Sequence, residues 1–123
     1  MELEYYKCNI CGNLFEIIDD GSVVPICCNE DMTRLEPNTT EAKGEYHIPE
    51  YSLENNKLTV KIGKEPHPMT NEHYIEFISV KTSAGEQKKY LTTNMEPTAT
   101  FELNGEKVEN VYCYCNLHGL WKK

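Results

Sequence analysis

Between Lys57 and Ile62 apolar and polar residues alternate strictly, with Leu58, Val60 and Ile62 on one side and Lys57, Thr59 and Lys61 on the other. A period of two is that of a strand with one buried face and one solvated face. Asn55-Asn56 just ahead of it reads as a turn. Further strand patterns run over residues 73–80, 87–92, 98–103 and 108–115, separated by Ser83-Ala84-Gly85-Glu86 and by Asn104-Gly105, a hairpin signal. No helical period persists for three turns. Short strands at this spacing predict an all-β domain of sandwich type. Nearer the front, residues 14–18 and 22–26 read as two short strands around an Asp19-Asp20-Gly21 turn. The polar, turn-prone stretch 37–44 reads as a linker. The expected organisation is a small module over residues 1–36 and a β-sandwich over residues 37–123.

A 36-residue module cannot bury enough apolar surface to fold alone, so it needs a staple. The front module contains four of the six cysteines: Cys8, Cys11, Cys27 and Cys28. Cys8-x-x-Cys11 places two thiolates at one tight turn, with Gly12 letting the chain curl. Cys27-Cys28 supplies the second pair. Four thiolates around a tetrahedral centre suit zinc or iron, and the spacing does not decide between them. Adjacent cysteines point to opposite sides of an extended backbone, so Cys27-Cys28 also demands a bend. No βαβ pattern surrounds the cluster, which argues against a thioredoxin-type thiol pair.

Charge narrows the picture. The 123 residues carry a formal net charge of −8. Residues 1–36 hold eight acidic and two basic side chains, and the remainder hold twelve and ten. Nonspecific binding to nucleic acid or to an anionic membrane surface needs clustered cations and is excluded. No apolar run is long enough for a transmembrane helix. The start Met-Glu-Leu-Glu-Tyr-Tyr-Lys-Cys lacks the basic and apolar regions of a secretory signal, so a cytoplasmic protein is expected. Six cysteines in a reducing compartment favour metal ligation over disulfides.

The four histidines are His47, His67, His73 and His118. A lone histidine is more often an ordinary surface or core residue, but these read as a set. Cys115-x-x-His118 is a short chelating turn. His67 and His73 bracket a proline-containing loop just before a strand. Four imidazoles and one thiolate are too many for tetrahedral zinc and leave one open position on an octahedral ion, the arrangement of a redox metal that binds a small oxygen species. Iron is the natural choice, with the thiolate pushing electron density onto it.

Three motifs carry a family resemblance. They are Tyr6-Lys7-Cys8-Asn9-Ile10-Cys11-Gly12-Asn13 with Cys27-Cys28 and Met32; Pro66-His67-Pro68-Met69 with His73-Tyr74-Ile75-Glu76; and Tyr114-Cys115-Asn116-Leu117-His118-Gly119-Leu120-Trp121-Lys122. Over nearly its whole length the chain resembles desulfoferrodoxin, the two-iron form of superoxide reductase. The resemblance implies a desulforedoxin-like front domain with a rubredoxin-type iron held by Cys8, Cys11, Cys27 and Cys28. It implies an immunoglobulin-like β-sandwich with a second iron, His47, His67, His73 and His118 in plane and Cys115 axial. Glu45 matches the family glutamate that takes the sixth position on ferric iron. The implied reaction is one-electron reduction of superoxide to hydrogen peroxide without dioxygen release, with rubredoxin or a similar small carrier as electron donor, in a homodimer.

One position departs from the family. Where the family motif reads Glu-Lys-His, with a cation that attracts superoxide, this chain has Glu45-Tyr46-His47. Lys64, three residues before His67, is the expected replacement, with Lys43 as second candidate. Cys113 shares a strand face with Cys115 and is expected to be a buried apolar residue rather than a sixth ligand. Tyr112, Tyr114 and Trp121 are expected to pack in the core or at its rim. A simple electron carrier or a zinc-stapled binding module would leave the five-residue ligand set unexplained.

Overall fold

The chain divides into two units, Met1–Glu36 and Pro37–Lys123. The computed structural model describes residues 2–40 and 42–123; Met1 and Glu41, the latter inside the expected linker, lie outside the described residues. In the first unit β1 (Glu4–Lys7) lies between β2 (Leu14–Ile17) and β5 (Thr33–Arg34), and β3 (Ile26–Cys27) pairs with β4 (Glu30–Asp31). Its buried apolar residues are Tyr5, Cys8 and Met32, too few to hold 36 residues together without a staple. Of the strand expected over residues 22–26 only Ile26 is one. Val23 and Val24 are exposed with no face to bury against, and Pro25 has no N–H to give a ladder.

The second unit begins with a single helical turn, α1 (Gly44–His47), followed by β6 (Pro49–Glu54), β7 (Lys57–Ile62), β8 (Ile75–Thr82), β9 (Gly85–Tyr90), β10 (Thr98–Glu102), β11 (Val108–Cys115) and β12 (Gly119–Lys122). One sheet runs β10-β7-β6 and the other β12-β11-β8-β9, with antiparallel pairing throughout. That order is the three-plus-four arrangement of an immunoglobulin-like sandwich. Leu58, Val60 and Ile62 of β7 and Ala99 and Phe101 of β10 face Ile78 and Val80 of β8 and Val111, Cys113 and Cys115 of β11 in one apolar core. β6 and β12 are not legible in the sequence, because their patterns of exposure and length carry little alternation.

Two turns share one local signal and differ in outcome. Asn55-Asn56 has φ of 51° and 65° and closes the β6–β7 hairpin, as two consecutive positive φ values allow. Asn104 and Gly105 have the same signature, φ 48° and 82°, yet β10 and β11 part into opposite sheets. Tertiary bonds hold this turn: Leu103 N–H donates to the Asn56 carbonyl (2.8 Å) and Gly105 N–H to Asn56 Oδ1 (3.0 Å). The expected linker is also tied down. Asn38 donates from Nδ2 to the Lys122 carbonyl (3.0 Å) and accepts from Lys122 N–H (2.8 Å), so it borders β12.

Two irregularities place Cys115 and α1. Tyr114 pairs with Phe77 but Cys115 pairs with Ile75, leaving Glu76 as an extra residue. This bulge changes the parity of β8, so that Ile75 joins Ile78 and Val80 in the core opposite Cys115. At the end of β7, Gly63 has φ +79°, and a Cβ there would lie 2.6 Å from the Tyr46 carbonyl oxygen and 2.7 Å from that of Glu65. Gly63 N–H donates to Ile48 O (3.2 Å) and Lys64 N–H to Glu45 O (2.7 Å), which docks α1 onto this turn. Among the described residues no helix is long and apolar enough to cross a membrane.

Gly63→Ala must either move the backbone of α1 or keep a strained left-handed alanine. Urea unfolding of the full chain is expected to show a loss of roughly 2–3 kcal/mol.

Candidate metal centres

In the first unit the two cysteine pairs sit on two tight turns. Gly12 N–H donates to the Cys8 carbonyl (3.0 Å), and Ile10 and Cys11 N–H both point at Cys8 Sγ (3.4 Å each). The bend demanded by Cys27-Cys28 comes from a β3–β4 turn in which Cys28 and Asn29 have φ of 54° and 63°. All four sulfurs lie within 4.8 Å of one another, with Cys11–Cys27 at 3.6 Å and Cys27–Cys28 at 4.0 Å. Four sulfurs each about 2.3 Å from a tetrahedral ion stand about 3.8 Å apart, so the spacing fits such an ion. Backbone N–H donation, that of Cys11 foremost, lowers the Cys8 thiol to about 6. The neighbouring sulfurs, Cys11 first, push Cys28 up to about 12. Four thiols this close cannot all ionise without a cation among them.

In the second unit four elements deliver five donors to one point. α1 carries His47, the loop between β7 and β8 carries His67 and His73, the end of β11 carries Cys115, and the turn into β12 carries His118. The imidazoles form a ring of four. Centroid separations are 4.8 Å for His47–His67, 4.6 Å for His67–His73, 5.0 Å for His73–His118 and 4.9 Å for His118–His47, with 6.3 Å across the His47–His73 diagonal. Neighbouring rings stand edge to face, at interplanar angles of 70° to 85°. This is close to a square. His47 Nε2 and His118 Nδ1 are 3.1 Å apart, near the roughly 3.0 Å expected for two nitrogens at right angles about 2.1 Å from a shared ion.

Hydrogen bonds choose which nitrogen points inward. His47 Nδ1 donates to the Lys43 carbonyl (2.8 Å) and His67 Nδ1 to the Pro68 carbonyl (2.7 Å), leaving each Nε2 with a free lone pair. Nε2 of His67 and of His73 are buried with no hydrogen-bond partner. Unsatisfied buried nitrogens aimed at a common centre are costly unless a cation accepts them, and the donor set therefore fits a metal ion. Burial lowers His47 and His73 and takes His67 down to about 4. Burial thus favours the neutral form of these three imidazoles, the form that ligates. Cys115 Sγ, fully buried, lies 3.8 Å from His118 Nδ1. Burial raises its thiol, and the His118 and Leu117 amides pull it back down.

On the opposite side the four imidazoles open into a cavity of about 400 Å³ lined also by Ala42, Lys43, Tyr46, Pro66 and Pro68. Cys115 does not line it. The centre therefore has a buried thiol behind it and open space in front. Glu45 lies exposed on α1 and outside the lining. Lys64 also falls outside the lining. Its N–H is tied to Glu45 across the Gly63 turn, and its side chain projects into solvent. Lys43 lines the cavity, its Nζ 5.7 Å from the centroid of the Tyr46 ring.

Some supporting residues carry no signal of their role in the sequence. Trp121 stacks on His47 at 4.7 Å and 21°, and its Nε1 donates to the His118 carbonyl (3.1 Å). It lies far from His47 along the chain, so no local pattern marks the pair. Cys113 is fully buried in the apolar core as expected, and its thiol donates to the His47 carbonyl (3.2 Å).

The lowered histidines set a pH dependence for the metal-free chain. Between the ordinary value of 6.5 and about 4, His67 takes up a proton when unfolded but not when folded. Stability is therefore full above 6.5 and falls as pH drops, by about 1.4 kcal/mol per pH unit for each histidine so held. Urea midpoints of the metal-free protein measured from pH 7 to pH 5 are expected to decline, and replacement of His67 by Gln is expected to flatten the decline.

Residues 1–35 match the family model described as desulfoferrodoxin, N-terminal domain, and residues 39–123 match that described as desulfoferrodoxin. A desulfoferrodoxin homolog of Archaeoglobus fulgidus is 38% identical over 120 residues, covering 98% of this chain and 95% of the relative. A desulfoferrodoxin of Syntrophotalea carbinolica is 37% identical, covering 98% and 94%. The solved structure of the superoxide reductase from Treponema pallidum superposes with a TM-score of 0.83 at 32% identity, covering 100% of this chain and 99% of that one. The four-cysteine cluster and the histidine–cysteine cluster match the family's two-iron arrangement. With the two family models matching residues 1–35 and 39–123 and both clusters assembled, the chain belongs to the desulfoferrodoxin family.

Proposed function

We propose that the chain is a superoxide reductase whose catalytic centre is the square of His47, His67, His73 and His118 backed by Cys115. The observation that carries this reading is the asymmetry of that centre, with a buried thiol on one side and a cavity of about 400 Å³ on the other. His47, His67, His73, His118 and Cys115 would hold an iron ion, which when bound would supply the one electron that, with two protons, converts superoxide to hydrogen peroxide without forming dioxygen. The chain's own residues do the rest. His47 and His67 hold their rings through Nδ1 so that Nε2 faces inward, and Pro66 and Pro68 stiffen the rim beside His67. The cavity's openness gives water access, so protons can come from solvent. Cys8, Cys11, Cys27 and Cys28 hold the second iron.

Lys43 takes the guiding role in this reading. It is the cation of the cavity lining, beside the Tyr46 that stands in the family's lysine position. Glu45, although outside the lining, shares the helical turn of His47 and remains the carboxylate assigned to the ferric form. Rubredoxin or a similar small carrier is the proposed donor. The proposed assembly is a homodimer, supported by Ile10, Ile18, Val23 and Ile26 of the first unit, all exposed. Six free thiols fit a reducing, cytoplasmic setting.

Metal analysis with visible spectroscopy tests the reading as a whole. The purified protein is expected to hold two irons per chain and to show a thiolate-to-ferric band that responds to superoxide; a colourless zinc protein would refute it. Pulse radiolysis tests the steering. A unit charge beside a target in water contributes on the order of 1 kcal/mol or less, a few-fold in capture rate. Lys43→Ala is expected to slow capture by that much and to weaken its salt dependence, with Lys64→Ala unchanged.

A further inference from the structure

The histidines of the second centre are not all oriented in the same way. His47 and His67 are fixed by Nδ1 bonds to carbonyls. Among the described residues no carbonyl accepts from the His73 ring, so its direction depends on its backbone. That backbone sits in a tight turn, where Thr70 N–H donates to the His73 carbonyl (2.9 Å) and His73 N–H donates to the Thr70 carbonyl (3.2 Å) and to Thr70 Oγ1 (3.1 Å). These bonds make the turn rigid in itself. They do not attach it to the strand that carries Cys115.

Asn116 makes that attachment. It follows Cys115 directly and lies within the Cys115–His118 turn. Its Oδ1 accepts from Tyr74 N–H (2.9 Å), its Nδ2 donates to the Glu72 carbonyl (2.9 Å), and its own N–H donates to the Tyr74 carbonyl (3.2 Å). Both peptide neighbours of His73 therefore end on one residue, which is itself bonded to Cys115. We propose that Asn116 is a positioning residue that locks the His73 imidazole in register with the Cys115 sulfur. This role rests on the metal-centre part of the proposed function and is independent of the substrate.

The side-chain amide is needed in both its halves. An aspartate keeps an oxygen for Tyr74 N–H but has no donor for the Glu72 carbonyl, and an alanine keeps only the backbone bond. Outer partners of metal ligands typically alter affinity by about 10- to 100-fold when removed. The full chain loaded with cobalt(II) gives a direct readout, because a thiolate-to-cobalt band reports the Cys115 centre and the four-cysteine centre serves as control in the same molecule. Asn116→Ala is expected to weaken cobalt binding at the histidine centre by about tenfold and to shift its thiolate band. Asn116→Asp, close in shape, is expected to lie between Asn116→Ala and the parent and to cover the case in which the alanine variant misfolds. Leu53→Ala, at an exposed residue of β6, is expected to change neither.

An unchanged band and affinity in both Asn116 variants would overturn the positioning role and leave the metal centre standing. A parent protein that binds no cobalt at the histidine centre would overturn the metal centre itself, and the role of Asn116 with it.

Discussion

Four imidazole nitrogens and one sulfur, all electron-rich, are aimed at a single point from four different parts of the chain. Left to themselves such groups repel, and two of the nitrogens, on His67 and His73, are buried without a hydrogen-bond partner. The arrangement is stable only if a cation accepts the lone pairs or the surrounding fold resists their separation. Much of the second unit can be understood as that resistance. Ring Nδ1 bonds hold His47 and His67, Trp121 braces His47 and the His118 carbonyl, and the Cys113 thiol ties the core strand β11 to α1.

The sandwich contributes rigidity and direction. The bulge at Glu76 brings Cys115 opposite Ile75, so the thiol enters the centre from the apolar core rather than from solvent. Gly63 permits the close approach through which α1 docks at the end of β7. A metal held there would have the cavity on one side and the buried Cys115 thiol on another. That one-sidedness distinguishes the site from a closed structural centre, where the protein supplies every ligand.

The first unit solves a different problem with similar chemistry. Tyr5, Cys8 and Met32 are a small core for 36 residues, and the four sulfurs must do what packing does elsewhere. Their turns keep them within 4.8 Å of one another; backbone N–H donation, that of Cys11 first, lowers Cys8 to about 6, while the neighbouring sulfurs, Cys11 first, push Cys28 up to about 12. An ion among them converts that mutual repulsion into four bonds.

Residue types and spacing determined a good deal by themselves. β7 was legible because period-two alternation reflects one buried face, and both ligand sets were legible because cysteine and histidine have few other reasons to cluster at such intervals. The same reasoning failed where the deciding contact was distant. Asn104-Gly105 has the φ values of a hairpin turn, but its strands part because each finds a better partner in a different sheet. Distance along the chain was also no guide to the cavity lining, which includes Lys43, twenty-four residues from His67, and not Lys64, three residues from it. Nothing in the sequence sets Asn116 apart from the motif around it; its part comes from a side chain that bridges Glu72 and Tyr74. Sequence determined which groups could bind a metal, since that is a property of each side chain. Only the tertiary structure decided which nitrogen faces inward, which side stays open and what holds each ring, because those depend on contacts between segments far apart in the chain.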